Sequence, residues 1–121
     1  MSEDRYKQLT ERLIAKTDRY ELDWKEGAAP HEFQVSFANY SLLLSVTDNQ
    51  EGEPLYTIEI LDSQGNTLDR FSDEDLSRQK LLVDGVLAYH KMAELYKKAR
   101  RQALGANKAL DEILGELDRA R

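Results

Sequence analysis

The residues able to do chemistry are few and scattered. There are two histidines: His31 follows Pro30 in a polar loop, and His90 stands four residues before Glu94. On a helix that spacing sets imidazole and carboxylate on one face, where they could share a metal ion. Two ligands do not make a site, and a solvated ion pair is the commoner outcome, so no metal site is assigned. General acid and base work would need a desolvated carboxyl whose pKa moves toward neutrality. The acids here read as loop, outer-strand and helix-start residues.

The chain contains no cysteine, hence no thiol nucleophile, disulfide frame or sulfur-built zinc site. There is no P-loop, dinucleotide fingerprint or Gly-x-Ser-x-Gly elbow, and the glycines stand singly at turns. The loop opening at Asp48 places Gly52 where a calcium loop needs a ligand, which rejects an EF-hand. No catalytic residue and no cofactor follows from these patterns. Trp24 and the tyrosines fall on alternating strand positions, where aromatic rings serve a core.

The strongest electrostatic feature is the cluster Lys97, Lys98, Arg100 and Arg101, which makes nucleic acid the sharp alternative. Were the segment after Gly105 a reading helix, Asp111, Glu112, Glu116 and Asp118 would meet phosphates with repulsion. The formal net charge of −6 also disfavours a nucleic-acid partner. Charge is segregated along the chain. Asp48, Glu51, Glu53, Glu59, Asp62, Asp69, Asp73, Glu74 and Asp75 face the single base Arg70, whereas Lys80, Lys91, Lys97, Lys98, Arg100 and Arg101 face Asp84 and Glu94.

The elements that must position these residues can be read from period and punctuation. Ser2 can cap a helix with apolar positions Tyr6, Leu9, Leu13, Ile14 and Thr17. From Tyr20 the period becomes two, through Leu22 and Trp24, then Phe33 to Phe37, Tyr40 to Val46, Tyr56 to Ile60 and Thr67 to Phe71. Short polar links between these runs, among them Asp62-Ser63-Gln64-Gly65, predict a five-stranded antiparallel meander. Leu43 breaks the alternation and marks a second apolar patch. Ser72 and Asp75 form a capping box, with Phe71 and Leu76 as its hydrophobic staple, so a helix is expected from Asp73.

Apolar spacing carries that helix to Leu104, about 45 Å at 1.5 Å per residue. Gly85 weakens it by roughly 1 kcal/mol relative to Ala, and Asp84-Gly85 could instead be a turn. Gly105 ends it, and Asn107 can cap a short final helix carrying Leu110, Ile113, Leu114 and Leu117. The 121 residues thus form one α+β domain, a meander flanked by an N-terminal helix, a long C-terminal helix and a short last one. The opening residues lack the charge and apolar run of a signal peptide, and no run approaches a membrane span, so a cytoplasmic protein with no membrane partner is expected.

The long helix carries two apolar stripes. Leu81, Gly85, Ala88, Met92, Leu95 and Ala99 form one; Leu82, Val86, Tyr89, Ala93 and Tyr96 form the other. Together they are wider than one helix needs to cover a sheet. Either the monomer covers both, or the first is an interaction surface for a protein partner or a second copy. An antiparallel homodimer would set Asp73 to Asp75 against Lys97 to Arg101.

The Trp24-Lys25 strand, the Phe33 to Val46 pair, the Ile58 to Gly65 hairpin and the ending Leu95 to Gly105 resemble small uncharacterised bacterial proteins of the same helix, sheet, helix layout. That resemblance implies a bacterial origin and carries no activity onto particular residues. The reading from sequence is a non-enzymatic protein-interaction module, with nucleic-acid binding through Lys97, Lys98, Arg100 and Arg101 as the alternative.

Overall fold

Helix α1 (Ser2–Asp18) turns one face inward, with Thr10, Leu13, Ile14 and Thr17 buried and Tyr6 and Leu9 packed beside them. This is the period the sequence carries, and it opens a computed structural model that describes residues 2–78, 82–83 and 86–119. The Tyr6 ring stacks on Phe71 with centroids 4.3 Å apart, and its hydroxyl donates to Asp69 Oδ1 at 2.8 Å. The helix is thereby fixed to the far edge of the sheet.

The end of α1 is where sequence and structure first part. Tyr20 does not begin a strand. Its φ is 57°, its N–H donates to the Thr17 carbonyl at 3.0 Å, and the Glu21 N–H donates to the Lys16 carbonyl at 3.0 Å. These are the paired bonds of a Schellman cap, with tyrosine in the left-handed position usually held by glycine. The strand starts later, as β1 (Lys25–Glu26), and Trp24 is buried just before it.

Strands β2 (Glu32–Ser36), β3 (Tyr40–Asp48), β4 (Pro54–Asp62) and β5 (Thr67–Ser72) complete a five-stranded antiparallel sheet in the order β1-β2-β3-β4-β5. Its register aligns one apolar row across four strands, in which Phe33 faces Leu44, Leu44 faces Ile58 and Ile58 faces Phe71. All four are buried. Because side chains alternate across a strand, a slip of one residue would turn this whole row to solvent, so the row sets the register. Leu43 lies on the opposite face beside Gln34 and Glu59, half-buried. The β4–β5 turn is held by Asp62, whose Oδ1 accepts the N–H groups of Gln64 and Asn66 at 2.9 Å. Those bonds hold its carboxyl below the usual carboxylate range.

Helix α2 (Asp73–Arg78) begins at the expected capping box: Asp75 Oδ2 accepts the Ser72 N–H at 2.8 Å, and Ser72 Oγ accepts the Asp75 N–H at 3.3 Å. Phe71 and Leu76 are both buried. Strands β6 (Leu82–Val83) and β7 (Val86–Leu87) pair antiparallel, Val83 opposite Val86, before α3 (Ala88–Ala103) starts. The continuous rod from Asp73 to Leu104 is therefore corrected to a short helix, a two-stranded ribbon and a helix beginning at Ala88. The physical reason is legible: β-branched Val83 and Val86 bracket Asp84-Gly85, a dipeptide that favours a tight hairpin. Residues 84 and 85 themselves lie outside the described residues.

Helix α3 packs across the sheet with α1 and α2 beside it, closing a core of Trp24, Phe33, Val35, Leu42, Leu44, Ile58, Phe71, Leu76, Met92 and Leu95 among others. Gly105, at φ 70°, ends α3 as expected, and α4 (Ala106–Arg119) follows at once. The first α4 bond runs from the Ala109 N–H to the Gly105 carbonyl at 3.0 Å. Asn107 is thus inside the helix and not its cap.

Candidate interaction surface

The stripe expected to meet a partner is core. Ala88, Met92 and Ala99 are 0% exposed and Leu95 is 1% exposed, covered by the sheet and by α1. Leu81 and Gly85, the other two members, lie outside the described residues. Tyr89 and Tyr96 of the second stripe are partly covered from within: Tyr96 meets Phe33 edge-on at 5.4 Å and Tyr56 at 5.7 Å, while Tyr56 meets Tyr89 at 5.8 Å, and the side chains of Leu82 and Val86 lie outside the described residues. Burial pushes the Tyr56 and Tyr96 hydroxyls up from the ordinary phenol value. The α3 interface is corrected accordingly. What looked like surplus apolar surface is spent on the subunit's own sheet, and breaking the helix at Ala88 removes Leu82 and Val86 from the stripe.

The basic cluster is dispersed by helix geometry. Lys98 Nζ reaches Asp18 of α1 and Glu94 one turn back, so its pKa is raised by those two hydrogen bonds. Glu94 is held below the usual carboxylate range by the same Lys98 bond. Arg101 donates to Asn107 Oδ1 at 3.1 Å. Lys97 and Arg100 are exposed. Two of the four cations are thus engaged inside the subunit, and the nucleic-acid alternative retains only the other two.

The histidines are not brought together. His31 sits exposed at φ 60° between β1 and β2, and His90 is exposed with its ring edge-on to Tyr89 at 5.4 Å. Glu94, its expected companion, turns to Lys98 and Lys91. Among the described residues no group of three or more His, Cys, Asp or Glu is placed to hold a metal ion.

One acid departs from the solvated pattern. Asp73 is buried, and its Oδ1 accepts the Tyr56 N–H at 2.8 Å, tying the start of α2 to β4. Burial pushes its carboxyl above the ordinary value, partly opposed by that N–H. Since the folded-state pKa is the higher one, Asp73 withdraws stability as pH rises from the ordinary carboxylate value through the raised one. Asp73→Asn keeps an acceptor for Tyr56, so its stability relative to wild type should climb across that window and level off above it. Asp73→Ala leaves the N–H without an acceptor and should cost about 1–3 kcal/mol. Urea melts between pH 3.5 and 7.5 check both, and a pH-independent difference for Asn would refute the assignment.

Large apolar residues are exposed at Phe37, Tyr40, Leu68, Leu87 and Leu104, among others, and four more line up on α4. The helix has no buried residue, and Leu110, Ile113, Leu114 and Leu117 are 49%, 53%, 54% and 63% exposed. They recur at steps of three, one and three, which places them in one stripe. The root of the helix is tied down: Asn107 Nδ2 donates to the Tyr20 hydroxyl at 3.2 Å, and Asn107 Oδ1 accepts from Arg101. A cleft of about 310 Å³ opens at this root, lined by Tyr20, Trp24, Arg101, Gln102, Asn107 and Lys108 among others. The α4 stripe was visible in the sequence as an amphipathic pattern. Its exposure was not, because periodicity shows that a helix has an apolar face without showing what covers it.

Comparison with known proteins adds no relative: no family, no curated protein and no solved structure matches the chain. No helix among the described residues is long and apolar enough to cross a membrane. The fold itself is α+β, an antiparallel meander between an N-terminal helix and two C-terminal helices.

Proposed function

We propose that the chain is a non-enzymatic protein-interaction module, and that it binds through the apolar face of α4. The supporting observation is the stripe Leu110, Ile113, Leu114 and Leu117, about half exposed on a helix the subunit does not cover. Burying a Leu or Ile side chain from full exposure yields about 1.5–3 kcal/mol, so completing the burial of four half-exposed ones would contribute about 3–6 kcal/mol. That contributes to orienting a helix in an apolar groove, a recurring way in which an amphipathic helix is recognised by another protein. The interaction surface thus moves from α3 to α4.

Because the natural chain has no cysteine, a single cysteine placed at Lys108 or at Lys97 can carry a photo-crosslinker at one defined position. Leu110→Asp, Leu114→Asp and Leu117→Asp together should leave the thermal midpoint within about 6 °C of wild type, since exposed substitutions stay near ±0.5 kcal/mol each. The same triple change should abolish the adduct formed from position 108 when the purified, labelled protein is irradiated in a cell lysate. An adduct that survives the triple change, or forms equally from position 97, would overturn the reading.

A further inference from the structure

The borders of the α4 stripe say what kind of surface it fits. At about 100° per residue, Asp111 and Asp118 fall along one edge of the stripe and Glu116 along the other. Glu112 falls on the far side with the bases Lys108 and Arg119, its Oε1 4.0 Å from Lys108 Nζ. An apolar strip is therefore lined on both edges by carboxylates, all exposed.

Three kinds of occupant can be compared on this charge pattern. A second α4 laid antiparallel would bring each acidic edge against its own copy, and laid parallel would bring the Asp edge against the Glu edge. Like charges face each other in both orientations, which costs affinity. An anionic lipid surface favours helices with Lys and Arg bordering the apolar face, the reverse of what α4 carries. A protein groove with an apolar floor and Lys or Arg along its rims complements both the stripe and its edges. Resting on the α4 reading above, we infer that the partner is a protein presenting an apolar groove with basic rims, and that the carboxylates of Asp111, Asp118 and Glu116 select it over a second copy of this chain.

Two synthetic amphipathic helices serve as probes, each with the same Leu and Ile stripe, one bordered on both sides by Lys and the other by Glu. Anisotropy titration with the full chain should give binding to the Lys-bordered helix at least about 10-fold tighter at low salt, the advantage shrinking several-fold near 0.5 M salt. Changing Asp111, Glu116 and Asp118 to Lys should invert the preference. If that variant loses helical signal, the Asn and Gln versions should abolish the preference instead. Light scattering should give a monomer mass, and vesicles containing phosphatidylglycerol should not bind. Equal affinity for the two probes, or binding of neither, would overturn the inference. So would a dimer mass that collapses on Leu114→Asp, or capture by the vesicles. Equal affinity or a dimer would leave the α4 reading standing, whereas loss of that reading is registered by the crosslinks surviving the triple Asp change.

Discussion

Met92→Asp is expected to unfold the protein, leaving no helical signal at 25 °C. Met92 is fully enclosed in the core beneath the sheet, with Leu95 and Ala99 one and two turns on along the same face. Removing its side chain alone should cost about 2–5 kcal/mol. An unpaired carboxylate in that place adds several more, because no cation of α3 points inward to meet it. A single domain of this size has roughly 5–15 kcal/mol of stability, so the sum approaches or exceeds the whole. Met92→Leu, which conserves volume, should cost less than about 1.5 kcal/mol. Circular dichroism with thermal melts decides the matter. A folded Met92→Asp protein with an intact cooperative transition would mean that this face of α3 is surface after all, and would restore it as the interface.

The contrast between α3 and α4 shows which part of this fold could be read from the chain. Residue types fixed the sheet faces, because alternation at Phe33, Val35, Leu42, Leu44 and Ile58 leaves one arrangement that buries them all. They also fixed the start of α2, where Ser72, Asp75, Phe71 and Leu76 each have a single good use. Local chemistry misled at two places. Tyr20 holds a left-handed cap position that costs an L-residue roughly 1–2 kcal/mol, and nothing in its identity announces it. The helical period running through Leu82 and Val86 continued past a point where β-branched residues around Asp84-Gly85 take the chain into paired strands.

The interaction surface was illegible for a different reason. Both α3 and α4 carry clear apolar stripes, and the one on α3 is flanked by small residues that suit close packing. Which stripe remains bare depends on where α1, β2 and β4 put Tyr6, Phe33 and Tyr56, and that is a property of the assembled sheet. The only sequence signal bearing on it was the charge at the stripe's edges. Asp111, Asp118, Glu112 and Glu116 were read as an obstacle to phosphate binding, and three of them, Asp111, Asp118 and Glu116, now define the partner that α4 suits.

Trp24→Ala is expected to lower stability by about 3–5 kcal/mol, the usual range for emptying a large buried aromatic site. At this chain length that corresponds to a fall of roughly 10–20 °C in the thermal midpoint. The loss should be cooperative with the anchoring of α4. Trp24 Nε1–H donates to Thr17 Oγ1 at 3.0 Å, and the Thr17 carbonyl accepts from Gln102 Nε2 at 2.9 Å, so one buried residue of α1 joins the indole to the end of α3. One turn further, Asn107 hangs the root of α4 on Tyr20. Trp24→Phe should recover most of the packing yet leave Thr17 Oγ1 without its donor, a residual cost of about 1–2 kcal/mol. Hydrogen exchange at the Ala109 amide, whose acceptor is the Gly105 carbonyl, reports the root directly. It should accelerate in Trp24→Ala beyond what the change in global stability accounts for, and to a smaller degree in Trp24→Phe. If exchange there tracks global stability alone in both variants, then α4 is held by Gly105 and Asn107 without help from the indole, and its orientation toward a partner is independent of the core beneath it.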